Sequence, residues 1–106
     1  MTAQRILVVE DNERNLKLIR DVLQFAGYEI VEATSGEQGV ALAQDCEPDL
    51  VLMDLQLPQM DGTEALRLLR ESPRTRDVPV VAVTAFAIRE DRERAFGAGF
   101  DGYLQK

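Results

Sequence analysis

Short apolar runs rich in β-branched residues alternate along the chain with longer stretches whose apolar residues recur every three or four positions. Ile6–Val9 is a run of the first kind and reads as a strand. Glu13 to Ala26 is of the second kind: Leu16, Ile19, Leu23 and Ala26 fall on one helical stripe, and Gly27 supplies the stop. Tyr28–Ala33 reads as a second strand. Ser35 followed by Gln38 has capping-box spacing and opens a helix to about Cys46. Leu50–Met53 is a third short strand. Pro58 to Gly62 reads as a turn, and Asp61 with Glu64 repeats the capping-box spacing before a helix to about Glu71. Val78–Val83 predicts a fourth strand, Ile88 to Ala98 a helix closed by Gly99, and Tyr103-Leu104 a short fifth strand.

Strand and helix thus alternate from end to end. Neighbouring parallel strands need crossover helices, so this order predicts an α/β fold with an open parallel five-stranded sheet flanked by helices. Strands that are nearly continuous apolar runs fit burial on both faces. Residues 1–106 have room for one domain.

Composition narrows the function. A net charge of −7 argues against direct binding to nucleic acid. The nearest basic cluster, Arg67, Arg70, Arg74 and Arg76, is interleaved with Glu71 and Asp77 and reads as a solvated helix end. The first apolar run is too short for a signal peptide core or a membrane span. The single cysteine, Cys46, has no partner in the chain and fits a reducing, cytoplasmic setting.

In an open parallel sheet, functional groups gather beyond the carboxyl ends of the strands. Those ends carry Glu10-Asp11, Asp54, Thr84-Ala85 and Lys106. Taken singly, Asp11 or Asn12 is explained as a helix cap, Thr84 as a strand end and Lys106 as a chain end. Asp54 is harder to explain away, because no helix begins directly after it. Three converging carboxylates repel one another unless a cation neutralises them, and oxygen ligands without His or Cys suit a hard ion such as Mg²⁺. Lys106 offers a point charge for a phosphate. The acidic loop Glu10-Asp11-Asn12-Glu13 has no glycine, unlike a nucleotide-phosphate cradle.

Five segments together resemble the signature of response-regulator receiver domains of the CheY-like superfamily. They are Ile6-Leu7-Val8-Val9-Glu10-Asp11-Asn12, Asp49-Leu50-Val51-Leu52-Met53-Asp54-Leu55-Gln56-Leu57-Pro58, Met60-Asp61-Gly62, Pro79-Val80-Val81-Ala82-Val83-Thr84-Ala85 and Gly102-Tyr103-Leu104-Gln105-Lys106. The Glu-Asp-Asn opening and Val-Thr-Ala-Phe-Ala are most similar to DivK-like single-domain regulators and to receivers attached to hybrid histidine kinases.

The resemblance implies a flavodoxin-like sheet and a two-component phosphorelay role. Asp54 would accept a phosphoryl group from the phosphohistidine of a histidine kinase or histidine phosphotransferase. Asp11, Asp54 and the backbone carbonyl of Gln56 would hold Mg²⁺, with Glu10 acting mostly through a bound water. Thr84, the amide of Ala85 and Lys106 would contact the phosphoryl oxygens. Movement of Thr84 would make room for Tyr103 to turn, switching contacts with a downstream protein. Gln56 and Phe86 would flank the phosphoryl group, the apolar Phe86 favouring a long-lived phosphoform. On that resemblance the chemistry would be confined to self-phosphorylation and self-dephosphorylation, making the chain a signalling switch rather than an enzyme.

Leu18, Val22 and Phe25 make a second apolar stripe on the first helix. It reads first as packing against a neighbouring helix; the sharper reading places Leu18, with Asn12 and Asn15, against the phosphodonor. Dimerisation through the face of the fourth helix is left open.

Two departures stand out: Glu10-Asp11 replaces the commoner Asp-Asp pair, and the chain stops at Lys106, where the family continues with a proline and a fifth helix. The latter predicts a receiver trimmed at its carboxyl end, with apolar surface exposed beside the first and fifth strands. Two other classes compete. An aspartate-nucleophile phosphohydrolase would carry a spaced Asp-x-Asp after its first strand. A pseudo-receiver would share the fold without phosphorylation.

Overall fold

The computed structural model describes residues 4–55, 57, 60, 62–84 and 89–105. These form β1 (Arg5–Val9), α1 (Glu13–Phe25), β2 (Glu29–Ala33), α2 (Gly36–Cys46), β3 (Leu50–Asp54), α3 (Gly62–Glu71), β4 (Val80–Thr84), α4 (Arg89–Ala98) and β5 (Gly102–Gln105). The strands make one parallel sheet in the order β2-β1-β3-β4-β5. Strand order reverses between β1 and β3, which opens a crevice at their carboxyl ends.

The helix boundaries follow from local chemistry. Asn12 caps α1, its side-chain oxygen accepting from the N–H groups of Arg14 (3.0 Å) and Asn15 (3.1 Å). Gly27, at φ 96°, ends α1: its N–H donates to Gln24 and that of Tyr28 to Leu23, the paired closure that a left-handed residue permits. Gly99, at φ 108°, closes α4 in the same way. At α2 the Ser35 hydroxyl accepts from the Gln38 N–H at 3.1 Å. The return bond differs from a capping box, because Gln38 Oε1 accepts from the N–H of Thr34 instead of Ser35. Asp61, the other expected cap, lies outside the described residues.

β4 begins two residues later than the apolar run suggests. Pro79 has no N–H for a ladder, and the Val78 N–H donates back to Thr75 in the preceding turn. Three of the four arginines of the α3–β4 region are held locally: Arg67 pairs with Glu64 and Glu71, Arg74 with Glu47, and Arg70 with Asp101 and the carbonyls of Arg76 and Val78. These three form a pinned, mixed-charge surface.

The sheet has unequal cover. Its larger core joins Leu7, Val9, Val51, Met53, Val80 and Ala82 to Ala43 of α2, Ala65, Leu66 and Leu69 of α3 and Ala95 of α4. On the other face Ile6, Val8, Leu52 and Val83 meet Leu16, Ile19 and Leu23 of α1 alone among the described helices. An apolar groove runs beside α1, lined by Leu18, Val22, Leu52, Val83 and Leu104 among others. Of the apolar surface expected beside β1 and β5, only the β5 part is seen: Leu104 is 54% exposed, whereas Ile6 and Val8 of β1 are buried, as are Leu52 and Val83 at the floor of the groove. The stripe expected to pack against a neighbouring helix does not: Leu18 is 65%, Val22 59% and Phe25 96% exposed. No helix of the described residues is long and apolar enough to cross a membrane.

Candidate functional site

β1 and β3 pair with Val9 opposite Met53, so the next residues along, Glu10 and Asp54, leave the sheet side by side. Alternation puts both on the side of Ile6, Val8, Leu50 and Leu52, facing α1. The Glu10 N–H donates to Ala33 O at 2.9 Å, carrying the β1–β2 ladder one step further, and the Leu55 N–H donates to Val83 O at 3.2 Å. Both carboxylates thus stand on backbone that is held from the side.

Glu10 is 1% and Asp54 4% exposed, whereas Asp11 is exposed. One carboxylate oxygen from each of the three lies within 4.8 Å of the others. Two unit charges at that distance repel by about 3 kcal/mol at an effective dielectric near 20. The cluster therefore favours a cation. Its donors are all carboxylate oxygens and the chain contains no histidine, so the set fits a small hard divalent ion and not a soft one.

Thr84, at the end of β4, is buried. Asp54 pairs with Val83, which places Thr84 one strand across and one position further along. Thr84 continues the side of Val80 and Ala82, and the half-buried Tyr103, opposite Ala82, packs into that same larger core. Threonine and tyrosine therefore belong to one face of adjacent strands. Gln56, Ala85, Phe86 and Lys106 lie outside the described residues.

Gly62 has a part at the site that its sequence context does not announce. Its N–H donates to Leu55 O at 3.2 Å, and a Cβ there would stand 2.7 Å from the Asp54 carbonyl oxygen and 3.0 Å from Leu55 Cα. Absence of a side chain lets the first turn of α3 lie against the backbone of Asp54. The available signal was its place in the Met60-Asp61-Gly62 segment of the signature, read there only as a turn.

The profile of the response regulator receiver domain family matches residues 6–106. The chain belongs to this family. The receiver is 44% identical over 101 residues to the polar-differentiation response regulator DivK of Brucella ovis, covering 95% of this chain and 82% of that protein. The DivK of Brucella anthropi is 43% identical over the same span. Among solved structures, the receiver domain of a sensor histidine kinase from Pseudomonas aeruginosa PAO1 superposes with a TM-score of 0.91 at 40% identity, covering 99% of this chain and 86% of that one. That structure holds a magnesium ion coordinated in its active site cleft. Chemotaxis protein CheY4 of Vibrio cholerae gives a TM-score of 0.92 at 27% identity, with 99% and 88% covered. The receiver thus has the CheY-like flavodoxin architecture and the role of a two-component signalling switch.

Proposed function

We propose that this receiver takes a phosphoryl group onto Asp54 from the phosphohistidine of a histidine kinase or histidine phosphotransferase. The observation that carries the reading is the cluster of Glu10, Asp11 and Asp54 at the switch point of the sheet, with Asp54 almost fully buried. Glu10, Asp11 and Asp54, with the Gln56 carbonyl, would hold Mg²⁺, which when bound offsets negative charge on the phosphoryl oxygens.

In the transfer, a carboxylate oxygen of Asp54 forms a bond to phosphorus as the phosphorus–nitrogen bond to the donor imidazole breaks. The donor imidazole, already protonated at its other ring nitrogen, keeps the electron pair of the broken bond and departs neutral. The receiver contributes positioning and charge stabilisation. The Thr84 hydroxyl and the Ala85 N–H donate to phosphoryl oxygens, and the Lys106 ammonium pairs with another. Later attack by water on the same phosphorus returns Asp54, with Gln56 and Phe86 governing access.

In place of the single charge of the carboxylate, the phosphorylated side chain carries about −1.5 to −2 charges, by analogy with phosphorylated hydroxyl residues. Drawing the Thr84 hydroxyl toward it vacates space on the side where Tyr103 packs, so the face carrying α4 and β5 changes shape for a downstream partner. On the donor side, Asn15 and Leu18 line the open groove next to the site, and with Asn12 they are the contacts we assign to the phosphodonor. Self-association through the α4–β5 face belongs to the same reading, and sedimentation with and without the phosphoryl group tests it.

The deciding experiment is intact mass after incubation with acetyl phosphate, with and without Mg²⁺, beside Asp54→Asn. One phosphoryl group gained only with Mg²⁺ and absent from the variant is the expected result. Phosphorylation of the variant would move the acceptor elsewhere. Absence of both Mg²⁺ binding and phosphorylation would make this chain a pseudo-receiver, and steady turnover of a phosphoester a phosphohydrolase.

A further inference from the structure

The residue between the acidic pair and α1 does more than start a helix. Asn12 accepts at two places from the first turn of α1: its side-chain oxygen takes the N–H groups of Arg14 and Asn15, and its main-chain carbonyl takes that of Leu16 at 2.9 Å. Its own peptide N–H points the other way and donates to Glu10 Oε1 at 3.2 Å. The Glu10 backbone is meanwhile fixed by its N–H bond to Ala33. A carboxylate anchored at its backbone and held at one oxygen cannot rotate freely about its last bond, so the direction of its other oxygen is set.

We infer that Asn12 is a positioning residue for the divalent-cation site: by capping α1 it aims its own peptide N–H at Glu10 and fixes that carboxylate for the ion. The inference rests on the Mg²⁺ reading above and adds to it a residue that is not itself a ligand. Partners of this kind typically change metal affinity by about 10- to 100-fold when removed, and one acting through a single hydrogen bond belongs at the low end.

The test is calorimetric titration of the whole chain with MgCl₂ at fixed pH and ionic strength. Asn12→Ala is expected to weaken Mg²⁺ binding about 10-fold. Asn12→Ser, which also caps helices, should stay within about twofold of the parent. Leu23→Ala, which loosens α1 from the core at its far end, should lower the melting temperature yet leave Mg²⁺ affinity unchanged. In a Glu10→Ala background Asn12→Ala should have no further effect on affinity, since its action passes through Glu10. Equal weakening by Ala and Ser, or an undiminished effect without Glu10, would overturn the inference, as would unchanged affinity in Asn12→Ala. If the parent chain itself takes no Mg²⁺, the reading beneath the inference falls, and the inference with it.

Discussion

Gly39 sits in the second turn of α2 where that helix crosses β1, and it is buried. A methyl group added there would stand 2.7 Å from one γ-methyl of Val9 and 3.2 Å from the other. Carbon atoms in good contact are about 3.5–4.0 Å apart, so helix and strand must separate by roughly 1 Å. Val9 cannot swing clear, because a β-branched side chain has few χ1 options and both methyls face the glycine. Overpacking of this kind costs about 1–3 kcal/mol, while replacing glycine by alanine within a helix returns about 0.5–1 kcal/mol. Gly39→Ala should therefore destabilise the receiver by about 1 kcal/mol, a fall of about 4–8 °C in melting temperature for a domain of this size. Gly97 is the internal control: it lies within α4, nothing stands within 4 Å of an added Cβ, and Gly97→Ala should raise the melting temperature. Thermal and urea unfolding followed by circular dichroism would read both. In the double variant Val9→Ala/Gly39→Ala the clash is gone, so its loss should be smaller than the sum of the singles. A rise in stability for Gly39→Ala, or strict additivity with Val9→Ala, would refute the packing argument.

Glu47 closes α2 at φ 49°, the left-handed region, which costs an L-residue about 1–2 kcal/mol. Glu47→Gly should raise the melting temperature by several degrees despite losing the exposed pair with Arg74, itself worth at most about 1 kcal/mol, and Glu47→Val should lower it. Burial pushes the Cys46 thiol above its ordinary value of 9.0, so at pH 8 a maleimide should label it more slowly in the folded chain than in urea, as followed by intact mass. The folded state holds that proton more tightly, hence stability should decline as pH rises beyond 9.0, and Cys46→Ala should flatten the decline. In metal-free buffer Asp54→Asn should melt higher than the parent, because one of two buried carboxylates loses its charge. Saturating Mg²⁺ should then stabilise the parent by about 2.7 kcal/mol at a hundredfold excess over Kd, and the variant by less; a parent insensitive to both metal and chelator would contradict the site.

What could be read without coordinates was whatever depends on one stretch of chain at a time. Ile6–Val9 and Leu50 onward announce buried strands because every position is apolar, and in a parallel sheet their ends must meet, which is why Glu10, Asp11 and Asp54 could be grouped in advance. Periodicity marks Leu18, Val22 and Phe25 as an apolar face but carries no information on what lies opposite, so their exposure came only with the fold. The late start of β4 is a backbone matter: Val78 is as apolar as Val80, and only the missing N–H of Pro79 separates turn from ladder. Gly39 against Val9 is a contact between distant segments, for which the sequence shows just a glycine in a helix, and Gly62, read as the end of a turn, gives no sign of its approach to Asp54. The Asn12 bond to Glu10 was hidden for a different reason, since a peptide N–H is the same whatever residue carries it.

The order of the strands also grades the sheet mechanically. β1 and β3, which carry the acidic cluster, are each laddered on both sides, whereas β5 is laddered only to β4. A phosphoryl charge at Asp54, as proposed, would act on a strand held on both sides. Thr84 stands on β4, which is also laddered on both sides, and Tyr103 on the edge strand next to it. If Asp54 takes a phosphoryl group as proposed, the strain of the added charge would be relieved more readily at an edge strand than at the centre, and of the two edge strands, β2 and β5, it is β5 that lies beside Thr84.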